Sequence, residues 1–257
     1  MGFVQLVENL IFPPKCANCG ELLGIELTKK QIDALCKDCR AQLEAEKVIE
    51  CQRCGLQMQF CRCMPRKMEK AQCAALSKLV LYRPSDDKMK IKPFIYSIKH
   101  SRNRASFRFV AEQMRGLLIP EMRAYSLAPA DCVITYMPRS HKNKAKDGFD
   151  QGLEMAKELS LITGIALVRC FKRKILSKQQ RDLNRFERQL NMSSAYSLLD
   201  IEDAVKDKTV ILVDDIVTTG SSMAACARLL YSAGAYSVLG VSIGITEKKQ
   251  KNKAQKD

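Results

Sequence analysis

At 257 residues, 46% of them hydrophobic, the chain is long enough for one α/β domain with a small appendage and has ample apolar material for a core, which excludes wholesale disorder. The formal charge of +15, from 43 Lys and Arg against 28 Asp and Glu, favours a polyanionic partner such as nucleic acid. No apolar run approaches the roughly 18 residues of a membrane span, and residues 1–14 carry Glu8 with no basic leader or cleavage-like site, so the chain reads as a cytoplasmic protein.

In chain order, Phe3, Val4, Leu6, Val7, Leu10 and Ile11 recur at helical spacing and predict a short amphipathic helix packed on its own protein. Eight of the twelve cysteines then fall between Cys16 and Cys63 in close pairs: Cys16/Cys19, Cys36/Cys39, Cys51/Cys54 and Cys61/Cys63. Reducing cytosol disfavours disulfides, and two thiolates separated by two residues can grip one tetrahedral ion. The spacing therefore predicts one structural zinc site from Cys16, Cys19, Cys36 and Cys39 and a second from Cys51, Cys54, Cys61 and Cys63. Four closed thiolate ligands leave no open position, so neither zinc is expected to be catalytic. Cys61-Arg62-Cys63 is one residue short of the usual knuckle, which makes the first site the stronger assignment. Cys73, Cys132, Cys170 and Cys226 stand in apolar contexts and are expected to be buried thiols.

Composition turns basic and polar over residues 64–72, and the domain boundary is placed there: a zinc domain over 1–66, a larger domain over 67–246 and a Lys-rich, disordered tail over 247–257. Residues 74–82 read as a strand or a helix. Residues 88–108 carry seven Lys and Arg and no acid, the clearest basic face, followed by an amphipathic helix over about 107–118. Residues 132–136 form a buried-strand candidate ending at Met137-Pro138-Arg139-Ser140, and a helix follows to about Leu161. Basic residues return over 169–188, and 238–245 would be the last strand.

One stretch organises the rest. Val210, Ile211, Leu212 and Val213 predict a strand buried on both faces, as in a parallel sheet covered by helices. It runs into Asp214 and Asp215 and then into Thr218, Thr219, Gly220, Ser221 and Ser222, ahead of a helix from about Met223. Loop amides, hydroxyls and a helix N-terminus suit a phosphate, whereas two carboxylates beside them ask for a ligand that also offers hydroxyls or a bound cation. A ribose 5-phosphate unit meets both demands. No Lys follows the glycine as in a Walker A loop, and there is no G-x-G-x-x-G.

The segment from Val210 to Ser222 resembles the 5-phosphoribosyl-1-pyrophosphate (PRPP) motif of type I phosphoribosyltransferases. With the four cysteine pairs, residues 95–104, Pro138 onward into Gly148-Phe149-Asp150-Gln151, Gln179-Gln180-Arg181 and Arg188 with Asn191, nearly the whole chain resembles the ComF family, competence-associated proteins that join a double zinc ribbon to a phosphoribosyltransferase-like domain. Two positions depart from the family pattern: Asp147 stands where Arg is common and Asp150 where Asn is common. The resemblance implies a type I phosphoribosyltransferase-like parallel sheet, with Asp214 and Asp215 on the ribose hydroxyls, residues 218–222 on the 5-phosphate, Mg²⁺ between pyrophosphate and ribose, and Arg139 as a candidate cation for pyrophosphate. It further implies PRPP or a nucleotide phosphate as ligand and a role in DNA uptake, with DNA-uptake or helicase partners. Single-stranded DNA is expected to bind through backbone charge, with Lys99, Arg102 and Arg104 as contributors. The rival expectation is an active phosphoribosyltransferase acting on an unidentified base. A third is a PRPP-sensing regulator.

Overall fold

The computed structural model describes residues 13–23, 33–174 and 195–246. The amphipathic helix expected at the N-terminus, Lys178, Arg181, Arg185 and Arg188, and the Lys-rich tail lie outside the described residues. In chain order the described helices and strands are α1 (Lys37–Lys47), α2 (Arg66–Glu69), β1 (Ala75–Tyr82), α3 (Lys92–His100), α4 (Arg104–Ala124), β2 (Cys132–Tyr136), α5 (His141–Asp147), α6 (Gln151–Thr163), β3 (Ala166–Leu167), β4 (Phe171–Arg173), β5 (Tyr196–Leu198), α7 (Glu202–Val205), β6 (Thr209–Val217), α8 (Ser221–Ser232) and β7 (Ser237–Thr246).

The main sheet has the spatial order β1-β7-β6-β2-β3, and every neighbouring pair is parallel. Parallel neighbours need crossovers, here supplied by α6 between β2 and β3 and by α8 between β6 and β7. With helices on both faces, a central strand has no solvent side. In β6, Ile211 and Val213 join one apolar cluster with α4 and α6, while Val210 and Leu212 join another with α8. Alternate side chains feed opposite faces of a strand, so a strand buried on both sides reads as an unbroken apolar run. β4 and β5 pair separately and antiparallel.

Residues 74–82 resolve as β1, because β7 pairs alongside it from Ala75 to Tyr82. The helix expected over 107–118 is longer at both ends. It starts after Asn103, whose side chain accepts from the amides of Ala105 at 3.0 Å and Ser106 at 3.4 Å, and it runs through Pro120 to Ala124. The strand expected to end at Val213 continues to Val217, since β7 carries the ladder on and pairs Asp214 with Ser242 and Ile216 with Gly244. Cys73, Cys132, Cys170 and Cys226 are buried, as expected.

The cysteine-rich region is stitched into this framework at two places. Cys16, Leu23, Leu35, Cys39 and Leu43 share an apolar cluster with Val80, Phe94 and Phe109 on the α4 face. Met64 and Met68, just after the last cysteine pair, belong instead to the cluster on the α8 face. The boundary placed after residue 66 falls at the start of α2.

Candidate phosphate site and cysteine clusters

At the carboxyl end of β6 the chain turns through Thr218 and Thr219 into Gly220, which has φ +68° and caps α8. A side chain is excluded there twice over: the backbone is left-handed, and a Cβ would stand 2.9 Å from Pro65 and from Met68. The Thr219 and Ser221 hydroxyls lie 2.9 Å apart. Among the described residues, the amides of Thr218, Thr219, Gly220 and Ser222 have no backbone acceptor. Unpaired N–H groups at a helix N-terminus favour an anion.

Asp214 and Asp215 stand on the last stretch of β6, so the ladder with β7 fixes their position and sends their side chains to opposite sides. Asp215 is buried, and its Oδ2 lies 3.4 Å from Lys99 Nζ on α3 and accepts from Gln151 Nε2 on α6 at 3.3 Å. Burial and then the Asp215 charge push the Asp214 carboxyl well above the usual carboxylate range. Behind the loop, Tyr196 is buried and interacts with the Ser222 hydroxyl, and the Arg173 guanidinium lies 5.5 Å from its ring centroid.

Arg139 follows β2, and its burial is matched by charge: it pairs with Asp147 and lies 5.7 Å from the Phe149 ring centroid. Asp147 also lies 3.2 Å from His100 Nδ1. The second departure from the family pattern is likewise engaged, since Asp150 Oδ2 accepts from the Arg139 amide at 3.2 Å and pairs with Lys144 at 2.9 Å. Arg102 and Arg104, expected to face a nucleic acid, reach back to α6 and pair with Glu154 at 3.5 Å and Glu158 at 2.9 Å. The run over 88–108 has no acid in sequence, but the fold brings carboxylates to Lys99, Arg102 and Arg104.

The eight N-terminal cysteines gather as their spacing suggests. The sulfurs of Cys16, Cys19, Cys36 and Cys39 lie within 4.8 Å of one another, and so do those of Cys51, Cys54, Cys61 and Cys63. Within each set, one thiol, Cys16 or Cys51, is drawn down to about 7 by surrounding amides despite its burial, while Cys39 and Cys63 are pushed up to about 12 by burial and by neighbouring sulfurs. Four sulfurs this close cannot all ionise without a cation, and four thiolates are the donor set for structural zinc. Each set could therefore hold a metal ion. The short Cys61-Arg62-Cys63 spacing does not prevent convergence, because a 3₁₀ turn at Met58–Phe60 delivers Cys61 to the first pair.

Second contacts differ between the sets. Asn18 donates to Cys39 Sγ at 3.2 Å and to the Lys90 carbonyl at 3.1 Å, and its Oδ1 accepts from the Phe94 amide at 3.0 Å. The second set meets Lys78 of β1, which is 1% exposed and donates to the Cys61 carbonyl at 2.6 Å, to Cys61 Sγ at 3.3 Å and to the Leu76 carbonyl at 3.2 Å. Among the described residues no carboxylate pairs with this buried ammonium. A metal held by four thiolates carries a net negative charge and would supply the missing counter-charge. Sequence reasoning passed over Lys78, although a lysine inside an apolar strand is itself a signal. It also passed over Lys67, whose Nζ lies 2.6 Å from Ser221 Oγ, and nothing local marks that residue.

Fold and site together define a phosphoribosyltransferase-like α/β domain joined to a region with two four-cysteine clusters, and residues 150–255 match the family model described as the phosphoribosyl transferase domain. Over 229 residues the chain is 25% identical to Competence protein F of Haemophilus influenzae, covering 86% of this chain and 92% of that protein, so it is ComF-like along nearly its whole length. Among solved structures it is similar to the allosteric regulatory enzyme of purine biosynthesis, with a TM-score of 0.40 and 14% identity over 58% of this chain and 30% of that one. It is also similar to purine phosphoribosyltransferase from Pyrococcus horikoshii, with a TM-score of 0.34 and 18% identity over 55% and 85% of the two chains. Adenine phosphoribosyltransferase from Leishmania tarentolae gives a TM-score of 0.35 and 13% identity over 65% and 91%. Among the described residues no helix is long and apolar enough to cross a membrane.

Proposed function

We propose that the protein binds a phosphorylated ribose, as PRPP or a nucleotide phosphate, at the end of β6, and that it serves DNA uptake or natural transformation, as its likeness to Competence protein F suggests. The observation that carries the binding reading is the set of free amides at Thr218, Thr219, Gly220 and Ser222, one strand-end away from Asp214 and Asp215. In this reading the loop and the Ser221 and Ser222 hydroxyls hold the 5-phosphate, and the two carboxylates hold the ribose hydroxyls. The carboxylates are hard oxygen donors and suit Mg²⁺, which is commonly held by one or two carboxylates together with ligand phosphates. Bound there, Mg²⁺ would neutralise pyrophosphate charge. Lys99 shields Asp215 and Gln151 orients it, while Arg139, the candidate cation for pyrophosphate, is paired with Asp147. Zinc in the two cysteine clusters is structural.

A binding role is favoured over turnover because the loop itself, Thr218, Thr219, Gly220, Ser221 and Ser222, offers amides and hydroxyls and no general base for an incoming nucleobase. The rival, an active phosphoribosyltransferase, predicts pyrophosphate release from PRPP with some member of a panel of bases, and robust release would overturn the binding-only reading. Binding itself is tested by calorimetry with PRPP and ribose 5-phosphate. Replacing both aspartates, Asp214→Ala with Asp215→Ala, is expected to weaken binding by more than 100-fold while circular dichroism stays native, because each lost charge-assisted contact is worth about 1.5–3 kcal/mol. Unchanged affinity in the double variant would reduce the loop to a helix cap. Single-stranded DNA is the proposed polyanionic partner, drawn by the net charge of +15, with DNA-uptake or helicase proteins as further partners.

A further inference from the structure

The helix that leaves the second cysteine cluster sits on the proposed phosphate loop. Pro65 and Met68 press against Gly220, and Lys67 from the same turn reaches Ser221 Oγ at 2.6 Å. Ser221 is buried, so the lysine ends in a narrow space at the mouth of the loop and is itself only partly exposed. Among the described residues no carboxylate pairs with Lys67, and it donates to a neutral hydroxyl. A cation held over a neutral oxygen beside free amides is placed to meet an incoming anion with a charge-assisted hydrogen bond. The helix is also tied to the metal knuckle. Arg53, between Cys51 and Cys54, donates to the Met64 carbonyl at 2.6 Å and pairs with Glu69 at 2.9 Å, gripping α2 on both sides of Lys67. On the other side of the helix, between the cluster and Thr218, lies a cavity of about 470 Å³ lined by Arg53, Pro65, Arg66, Glu69 and Thr218, and neither Lys67 nor Ser221 faces it.

We propose that Lys67 is a phosphate-binding residue of this site, contributed from outside the loop by the helix of the second cysteine cluster, so that phosphate occupancy and metal retention at that cluster stabilise each other. The inference rests on the phosphorylated-ribose reading above and adds a residue and a coupling that the loop sequence does not contain. The lysine keeps its ammonium within reach of Ser221 and meets the ligand phosphate there with a charge-assisted hydrogen bond. Coupling between two sites is reciprocal, so a ligand that holds Lys67 also holds α2 and, through Arg53, the knuckle.

Calorimetry on the zinc-loaded full chain with ribose 5-phosphate and with PRPP tests this. Lys67→Ala is expected to lower affinity for both by about 10- to 100-fold, the range of one charged hydrogen bond, and Lys67→Arg to stay within about threefold of the unaltered protein. Zinc content and melting temperature should be unchanged in both variants. In a second arm, ribose 5-phosphate should slow the release of one zinc per chain to a colorimetric chelator, and Lys67→Ala should remove that protection. Full affinity in Lys67→Ala would overturn the inference while leaving the ribose-phosphate site standing. An arginine variant as weak as the alanine variant, or zinc lost from both, would make Lys67 a packing residue. Absence of ligand-dependent zinc protection would overturn the coupling. No binding of either probe by the unaltered protein would overturn the reading on which the inference rests.

Discussion

The first cysteine cluster and the second hold the same four donors within the same 4.8 Å span, yet the first is anchored by a side-chain amide and the second by a buried ammonium. Asn18 is neutral and bridges its cluster to the start of α3, so the first site works as a clamp on the α4 face of the sheet. Lys78 projects from inside β1, and the helix that follows Cys63 packs on the loop after β6, so the second site touches both the sheet and the proposed ligand site. Equal chemistry thus serves unequal purposes, because the charge and the neighbours around a metal decide what its loss disturbs.

The largest expected difference comes from removing each cluster in turn. Cys51→Ser with Cys54→Ser should leave one zinc per chain by elemental analysis and weaken ribose 5-phosphate binding at least as much as Lys67→Ala does. Cys16→Ser with Cys19→Ser should also leave one zinc, yet keep that affinity within about twofold. A structural zinc contributes about 10–16 kcal/mol of apparent binding free energy, ample to disorder the segment that depends on it. Equal loss of ligand affinity in the two variants would break the comparison.

A narrower change should separate the clusters by charge alone. Lys78→Met keeps the bulk of the side chain and removes the cation, and chelator competition should show the second zinc held about 10- to 100-fold less tightly with the first unaffected. Breaking a buried charged contact typically costs about 3–5 kcal/mol, so the melting temperature of the zinc-loaded protein should fall as well. Identical chelation curves for variant and unaltered protein would deny Lys78 any part in the metal site.

At the proposed ligand site the expected effect is smaller and of opposite sign. Asp214 has its folded-state pKa raised by burial and by Asp215, so the carboxylate form opposes folding at any pH above that raised value. Asp214→Asn should therefore raise the melting temperature at neutral pH by about 2–4 °C, the shift for roughly 1 kcal/mol in a domain of this size. The gain should shrink as pH falls through the raised value and vanish below the ordinary carboxylate range, where the aspartate is neutral folded or unfolded. A gain that persists at low pH would assign the effect to something other than charge.

The smallest effect concerns DNA. If four to six phosphates of a single strand were neutralised, the log-log salt slope would be about −3 to −4, at about −0.7 per contact. Replacing Lys99, Arg102 and Arg104 with Ala would flatten it by up to about 2 were these cations free. Their pairing with Asp215, Glu154 and Glu158 lowers the expected change to less than about 1, measured by fluorescence anisotropy across a salt series. A change near 2 would mean that DNA displaces the carboxylates.

Much of the architecture was legible because its signals are local. Cysteine pairs two residues apart foretold the gathering of each four-cysteine set, and an unbroken run of Val, Ile and Leu foretold a parallel strand buried on both faces. Element ends were read less well. Asn103 starts a helix that sequence placed later, and the ladder with β7 carries β6 through Asp214 and Asp215, because pairing with a neighbour rather than intrinsic preference sets where a strand stops.

The sequence by itself determined the membership of both four-cysteine sets, the class of the sheet and the loop that follows β6, since each depends on residues close to one another in the chain. Only the tertiary structure decided how charge is distributed. Carboxylates from α6 pair with cations that look free in the chain, and a lysine 154 residues before Ser221 comes to lie over the loop. Coulomb interactions act through space and fall off with distance, so the partner of a charge is chosen by packing, which the linear order does not display.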